Sequence, residues 1–385
     1  MKIVDFEFFK VSLPTRRKHT WATSTKDVGI GYGIVKVTAS NGIIGFGEAS
    51  VMPEWGGDFS CQYGETAETM ELVIKNHLFP SIAGMDPFDM DLIHNKMELA
   101  IRGYPYAKAA LDIAIYDILG KALGKPIYKL LGGRHRDRIP LAHSLGLMEI
   151  DRAVDEAIEA VKEGIKHIKV KGGLDFKRDM ELIGKLRKEL GPDIVIFIDA
   201  NQGYPTVKEA VKWINKMDSR YNLEYLEQPV EGRNQMKLAS KLSNIPICAD
   251  ESCWSPSDAI EIIKDDIADY ISIYVGKAGG LYSGRLIAHI AENAGISCNV
   301  NGSGEFGVGN AANLHLASTG KNITLASVFP VTTLSGREQT KVACKWYIDD
   351  IITEPFKYED GCLLVPDEPG LGIEVDEEKL KKYML

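Results

Sequence analysis

The chain has 385 residues, 45% of them hydrophobic, and a formal net charge of −9. That length points to a large core and more than one domain, while basic residues scattered along an acidic chain exclude a nucleic-acid surface. No apolar run approaches the roughly 18 residues that span a bilayer, the start MKIVDFEFFK has no signal-peptide layout, and Cys61, Cys248, Cys253, Cys298, Cys344 and Cys362 form no CxxC pair, so no membrane partner and a cytoplasmic protein with reduced thiols are expected.

Residues 1–125 read as strands and then helices. Lys2 to Leu13 alternates apolar and polar residues, and GYGIVKVTASNGIIGFGEAS is two strands joined through Ser40-Asn41-Gly42, a hairpin signal. From Glu65 the apolar period becomes helical, which predicts an α+β capping domain with its own sheet. Two long loops, Arg16 to Asp27 and Val51 to Phe59, carry Trp21 and Trp55; loops of that length in a compact domain are often functional, so both tryptophans are candidate substrate contacts. The Ala-rich AKAALDIAIYDILGKALGKPIYKLLGG is a helix able to pack closely between the two domains.

Residues 126–338 follow another rhythm. IPLAHSLGL, HIKVKGG, IVIFIDANQ, LEYLEQP, IPICADES, YISIYVGKAGG, ISCNVNGSG and ITLASVFP are strand-like, with helical stretches between them. Eight such steps predict an α/β fold of the TIM-barrel type. Residues 339–385 are expected to return to the capping domain.

In such a barrel chemistry sits at the C-terminal strand ends. Lys169 and Lys171, two residues apart, share one face of the second strand. The next three strands end on Asp199, Glu227 and Asp250, spaced 28 and 23 positions apart, about one strand and one helix each. Three convergent oxygen ligands without His or Cys suit Mg2+, or Mn2+, rather than zinc. Asn201, in phase with Asp199, can serve the metal or the lysine. A metal beside a lysine pair points to removal of a proton alpha to a carboxylate: the cation offsets the charge that develops, and one ammonium lowers the pKa of its neighbour so that it can act as a base.

KVKGG, DANQ, LEQP, ADES and GKAGG, in that order behind an α+β cap, resemble the mandelate racemase/muconate lactonizing enzyme family of the enolase superfamily, and within it the muconate lactonizing enzyme subgroup. The resemblance covers essentially the whole chain. It implies a modified barrel, Mg2+ on Asp199, Glu227 and Asp250, Lys171 as acid/base with Lys169 tuning it, Glu251 behind the ligands, capping loops that close over the substrate, and a homo-oligomer. The chain departs from the subgroup on its sixth strand, where Tyr274 occupies the position of a second lysine; Lys277 lies in the following turn with the opposite strand parity. Asn299 and Asn301 stand where the mandelate racemase branch carries a histidine, and Glu305 matches a family position near the substrate.

A racemase needs a competent base on each face, and a tyrosine with a pKa near 10 is a poor one. One-sided chemistry on a small carboxylic acid is therefore the leading expectation, in the manner of a muconate cycloisomerase or a lyase, with Tyr274 as a hydrogen-bond donor or an aromatic wall. Dehydration of an acid sugar or hydroxy acid and epimerisation of an amino-acid derivative are the alternatives, followed by a non-catalytic metal-binding scaffold. His19, Arg16 and Arg17 reaching the pocket would favour a hydroxylated substrate; Trp21, Trp55 and Phe59 would favour an aromatic-pathway acid.

Overall fold

The computed structural model describes residues 1–23 and 29–385. Its N-terminal part is built on an antiparallel sheet of β1 (Ile3–Val11), β2 (Tyr32–Ala39) and β3 (Ile44–Ala49), in that spatial order. The turn between β2 and β3 passes through Gly42 at φ 85°, a left-handed backbone that other residues resist. Against the sheet lies the helix Pro105–Leu123, buried on every side from Tyr106 to Gly120. A Cβ on Gly47 of β3 would stand 1.8 Å from the carbonyl oxygen of Ala110, and one on Gly45 would stand 2.0 Å from that of Ala114. Strand and helix therefore meet backbone to backbone, which is what the alanines and the GFG of β3 are for.

IPLAHSLGL does not form one strand. It divides into β4 (Arg138–Pro140), which leaves the barrel to pair with the C-terminal tail, and β5 (Ala142–Leu145), which opens it. Six parallel strands follow: β6 (His167–Lys171), β7 (Val195–Asp199), β8 (Leu226–Glu227), β9 (Ile247–Ala249), β10 (Tyr270–Tyr274) and β11 (Ser297–Asn301). They neighbour one another in chain order, giving a curled seven-stranded sheet with helices outside. The expected eighth strand is reduced to single bridges, Cys298 with Ile323 and Leu141 with Ser327. A side chain replaces part of its ladder: Val328 N–H donates to Asn301 Oδ1 at 2.9 Å. Ile168, Val170, Ile196 and Ile198 are fully buried, as parallel strands covered on both faces require.

Carboxylates from the first part cap helices of the second. Glu48 on β3 accepts the N–H groups of Phe306 and Gly309, both at 2.7 Å, at the start of the helix Gly307–Ser318. Asp112 accepts Leu281 N–H at 2.5 Å at the start of the helix Leu281–Asn293. Carboxyl oxygens at a helix N-terminus satisfy donors that have no partner within the helix. The tail adds β12 (Tyr358–Glu359) and β13 (Cys362–Leu364), the latter pairing with β4, and ends beside β1, where Leu385 N–H donates to Lys10 O at 2.9 Å. Among the described residues no helix is long and apolar enough to cross a membrane.

Candidate active site

The strand register builds the site directly. Lys171 is paired with Asp199 across β6 and β7, and Asp199 with Glu227 across β7 and β8. Asp250 follows the end of β9. All three carboxylates are fully buried, Lys169 is 2% exposed and Lys171 is 9% exposed. Lys169 Nζ lies 2.9 Å from both Asp199 Oδ2 and Glu227 Oε1, and Lys171 Nζ lies 2.6 Å from Asp199 Oδ2 and 2.7 Å from Asn201 Oδ1. Asn201 in turn donates to Glu251 Oε1 at 2.9 Å, so it links the lysine to the carboxylate behind the ligands.

These charges set one another. Burial disfavours the Lys169 ammonium, but Asp199 and Glu227 outweigh it and its pKa rises. Burial would raise Asp199, yet Lys169 and Lys171 bring it down to about 2. Burial and Asp199 push Glu227 well above the carboxylate range; burial, Asp250 and Asp199 push Glu251 up to about 8.

As they stand, no three His, Cys, Asp or Glu side chains among the described residues are gathered closely enough to hold a metal ion. Ammonium groups occupy the space between the carboxylates instead. Two of the candidate ligands nevertheless keep a buried oxygen that accepts nothing, Glu227 at Oε2 and Asp250 at Oδ2, and so does Glu251 behind them at Oε2. A buried acceptor without a donor calls for a compensating partner, and for two neighbouring hard oxygens a divalent cation fits that need.

Asn201 and Gln202 have positive φ, 42° and 62°, and so does Gln228 at 36°. Strand ends forced into this region are costly and must be held by their surroundings. Gln228 is held by Asp250 N–H and Ser252 N–H, which donate to its Oε1 at 3.0 and 3.1 Å. The capping loop closes the network through Asp58, which accepts Gly232 N–H at 2.8 Å, Gln202 Nε2–H at 3.0 Å and Ser252 Oγ–H at 2.7 Å.

A cavity above the lysines is lined by His19, Trp21, Met52, Trp55, Ser144, Lys169, Lys171, Asn201, Tyr274, Ser303 and Trp346, among others. Trp21 sits over Lys171, its ring centroid 5.8 Å from Nζ. On another wall Trp55 packs against Tyr274 at 5.1 Å and Trp254 at 5.2 Å between centroids. Burial, Asp250 and Glu227 push the Tyr274 phenol well above its usual range, so it stays protonated. Lys277 is spent: its Nζ donates to Asp250 Oδ1 at 2.6 Å, Asp250 O at 2.7 Å and Ser272 O at 3.1 Å.

Five residues considered for the pocket lie elsewhere. Asn299 shares the parity of Asn301 but sits two residues deeper, roughly 7 Å down the strand; it is fully buried, does not line the cavity, and neither amide atom has a partner. Glu305 is committed to Ser303 N–H at 3.0 Å and Asn313 Nδ2–H at 3.2 Å, and it reaches the cavity only through Ser303. Phe59 is 72% exposed and outside the cavity. Arg16 and Arg17 turn away onto Glu156, at 2.9 and 2.7 Å. Residues 24–27 of the first capping loop lie outside the described residues.

Carboxylates and lysines at the C-terminal mouth of a barrel, closed by an α+β cap, define an enolase-type site. Residues 7–132 match the mandelate racemase / muconate lactonizing enzyme N-terminal domain, and residues 152–379 match the enolase C-terminal domain-like family. The chain belongs to the mandelate racemase/muconate lactonizing enzyme family of the enolase superfamily. The N-succinyl-L-Arg/Lys racemase of Bacillus cereus is 31% identical over 99% of this chain and 98% of its own; its crystal structure superposes with a TM-score of 0.90. Muconate lactonizing enzyme from Pseudomonas fluorescens, solved with muconolactone, is 27% identical with a TM-score of 0.89, covering 100% of this chain and 99% of its own. A dipeptide epimerase from Enterococcus faecalis, solved with Mg and L-Leu-L-Tyr, is 30% identical with a TM-score of 0.86, covering 97% and 100%. These relatives run different reactions at similar identity, so identity selects the family and not the subgroup.

Proposed function

We propose that this protein is a divalent-metal-dependent isomerase or lyase that moves a proton alpha to the carboxylate of a small organic acid, working from one face of the substrate. The observation that carries this reading is the asymmetry of the cavity. Lys171 presents an amine on one wall, while the sixth strand presents Tyr274 backed by Trp55, and Lys277 is tied to Asp250.

Asp199, Glu227 and Asp250 would hold the ion, Mg2+ by analogy with the Enterococcus epimerase and Mn2+ by the same oxygen chemistry. When bound, the cation stabilises charge that develops on the substrate carboxylate. The chain's own groups do the rest. Lys169 stays charged between Asp199 and Glu227 and keeps a second positive centre beside the base. Asn201 fixes the direction of Lys171 Nζ, and Lys171 takes or returns the proton. Trp21 and Trp55 exclude water, and Tyr274, held neutral, can donate a hydrogen bond but is a poor base.

Cycloisomerisation and syn elimination both satisfy this arrangement; epimerisation does not without a second base. The test is proton NMR in D2O with Mg2+ over muconates, sugar acids, hydroxy acids, N-acyl amino acids and dipeptides, using wild type and Lys171→Ala. Ring closure or loss of water that vanishes in the variant supports the proposal. Turnover that survives in Lys171→Ala, or that needs no metal, refutes it.

A further inference from the structure

The curled sheet leaves the barrel mouth thinly walled at its eighth position, which is held by single bridges alone. The C-terminal tail fills that side. Val331 N–H, just past the eighth segment, donates to Cys344 O at 2.8 Å, and two residues further on Trp346 enters the cavity wall. Its indole stacks on His19 of the first capping loop, with centroids 4.5 Å apart and 26° between the planes. His19 is itself held by Arg17, whose Nη1 lies 3.2 Å from His19 Nδ1. On the barrel side the indole lies against Gly304, where a Cβ would stand 3.0 Å from Trp346 Cζ3, and against the interior cluster that contains Ala142, Phe197 and Val328. The ring is thus wedged between cap and barrel.

The backbone that carries Trp346 is held from both domains. Glu163, at the C-terminal end of the helix Ile150–Lys162, accepts the N–H groups of Lys341, Val342 and Ala343 at 2.6, 3.0 and 2.7 Å. Cys344, in left-handed backbone at φ 47°, donates its N–H to His143 Nδ1 at 2.9 Å. From the cap, Arg16 Nε–H donates to Lys345 O and Arg16 N–H to Trp346 O, both at 2.8 Å, and Ile348 N–H donates to Pro14 O at 3.0 Å. A ring pinned on both flanks cannot swing aside for a bulky ligand without leaving these donors unpaired. An indole is a donor only and moves no proton, so what Trp346 brings to the cavity is shape.

We infer that Trp346 is a specificity-determining residue that limits substrate size: the tail supplies the wall that an eighth strand would otherwise supply, and Glu163 positions it from outside the cavity. The cavity, about 50 Å³, amounts to a few water positions at roughly 10–15 Å³ each, which leaves no room for a phenyl ring beyond the carboxylate head. This rests on the acid-binding function proposed above and adds to it a limit on the group that the alpha carbon carries.

The test compares lactate with 3-phenyllactate, which present the same 2-hydroxy acid head and differ by one phenyl ring. Dissociation constants are measured by calorimetry on the full chain with Mg2+, for wild type, Trp346→Ala, Trp346→Phe and Glu163→Ala. Wild type is expected to bind lactate about tenfold or more tightly than phenyllactate, against the order that burial of the ring alone would give. Trp346→Ala should strengthen phenyllactate by about tenfold or more and leave lactate within about twofold. Trp346→Phe keeps a ring on His19 and should shift the ratio less. Glu163→Ala, outside the cavity, should shift it in the same direction as Trp346→Ala by a smaller factor; a wild-type ratio there removes Glu163 from the proposal. Near-UV circular dichroism confirms that each variant is folded. Equal binding of the two acids by wild type, an unchanged ratio in folded Trp346→Ala, or an equal loss for both acids overturns the size limit while leaving metal-dependent acid binding in place. If neither acid binds wild type with Mg2+, the acid-binding function falls and the size limit falls with it.

Discussion

Replacing Asp58 by alanine removes the contact through which the second capping loop is tied to three strand-end turns. Its carboxylate accepts hydrogen bonds from Gly232 N, Gln202 Nε2 and Ser252 Oγ at 2.8, 3.0 and 2.7 Å, and it is 7% exposed. Hydrogen bonds to a charged group are worth about 1.5–3 kcal/mol each, but the loop borders an open cleft, so water recovers part of the loss and about 3 kcal/mol is the expected net. At roughly 2.1 cal/mol/K per residue the unfolding entropy of this chain is about 0.8 kcal/mol/K, so Tm should fall by about 4 °C. The effect is local first: the tip of the loop then keeps the hydrogen bond from Phe59 N–H to Glu231 Oε1 at 2.6 Å, while its base stays packed through Trp55 on Trp254 and Tyr274. Limited proteolysis should cut near residues 56–63 before global unfolding. KM should rise more than kcat falls, since Trp55 is on the same loop and forms a cavity wall. Asp58→Asn, which keeps an acceptor, should show about half the shift. A Tm within about 1 °C of wild type, with no new cleavage, would refute the idea that Asp58 anchors this loop.

Other outcomes follow from the same geometry. Lys171→Ala should reduce turnover by about a thousandfold or more, measured by product formation, and lower Tm by only a few degrees in calorimetry, because Lys169 still faces Asp199 at 2.9 Å. Glu227→Gln and Asp250→Asn should each weaken Mg2+ binding, read by titration calorimetry, by about a hundredfold; equal affinity would place the ion elsewhere. Gly47→Ala should cost about 3 kcal/mol or more, seen as a lower denaturant midpoint, because its Cβ would overlap the Ala110 carbonyl. Glu156→Gln should cost about 3–5 kcal/mol near neutral pH by stranding Arg16 and Arg17. Although burial raises its pKa, His143 and Arg17 depress it overall. Stabilisation from Glu156 is therefore present above the unfolded carboxylate value, about 4.3, and is lost as pH falls through the lower folded value, so the gap in Tm between wild type and Glu156→Gln should narrow under acid.

The parts of the site that a sequence can express locally were readable. A strand of period two that buries Ile196 and Ile198 and then ends on Asp199 announces both its direction and its end, and three such strands in series announce a shared mouth. The Lys169/Lys171 pair follows the same rule. What escaped depends on contacts between distant segments. Asp58 reaches Ser252 across 194 positions, and only a Gly-Gly-Asp in a long loop hints at it. The fixing of His19 by Arg17 is local in sequence, but Glu156, which turns both arginines away from the cavity, lies 139 positions from Arg17. Depth escaped as well: parity puts Asn299 and Asn301 on one face, yet neither lines the cavity, which is met by Gly302 and Ser303 just past the strand end. The weak eighth strand escaped because its hydrogen bonds are taken partly by a side chain, that of Asn301.

The central claim, that chemistry proceeds from one face with Lys171 as the base, is tested most directly by stereochemistry. For a chiral substrate found in the screen, both enantiomers would be held with the enzyme and Mg2+ in D2O and exchange of the alpha hydrogen followed by NMR. The account predicts exchange or conversion of one enantiomer only, abolished in Lys171→Ala and retained, more slowly, in Tyr274→Phe. Comparable exchange of both enantiomers would contradict it, because a second base would then be acting from the wall formed by Tyr274 and Trp55.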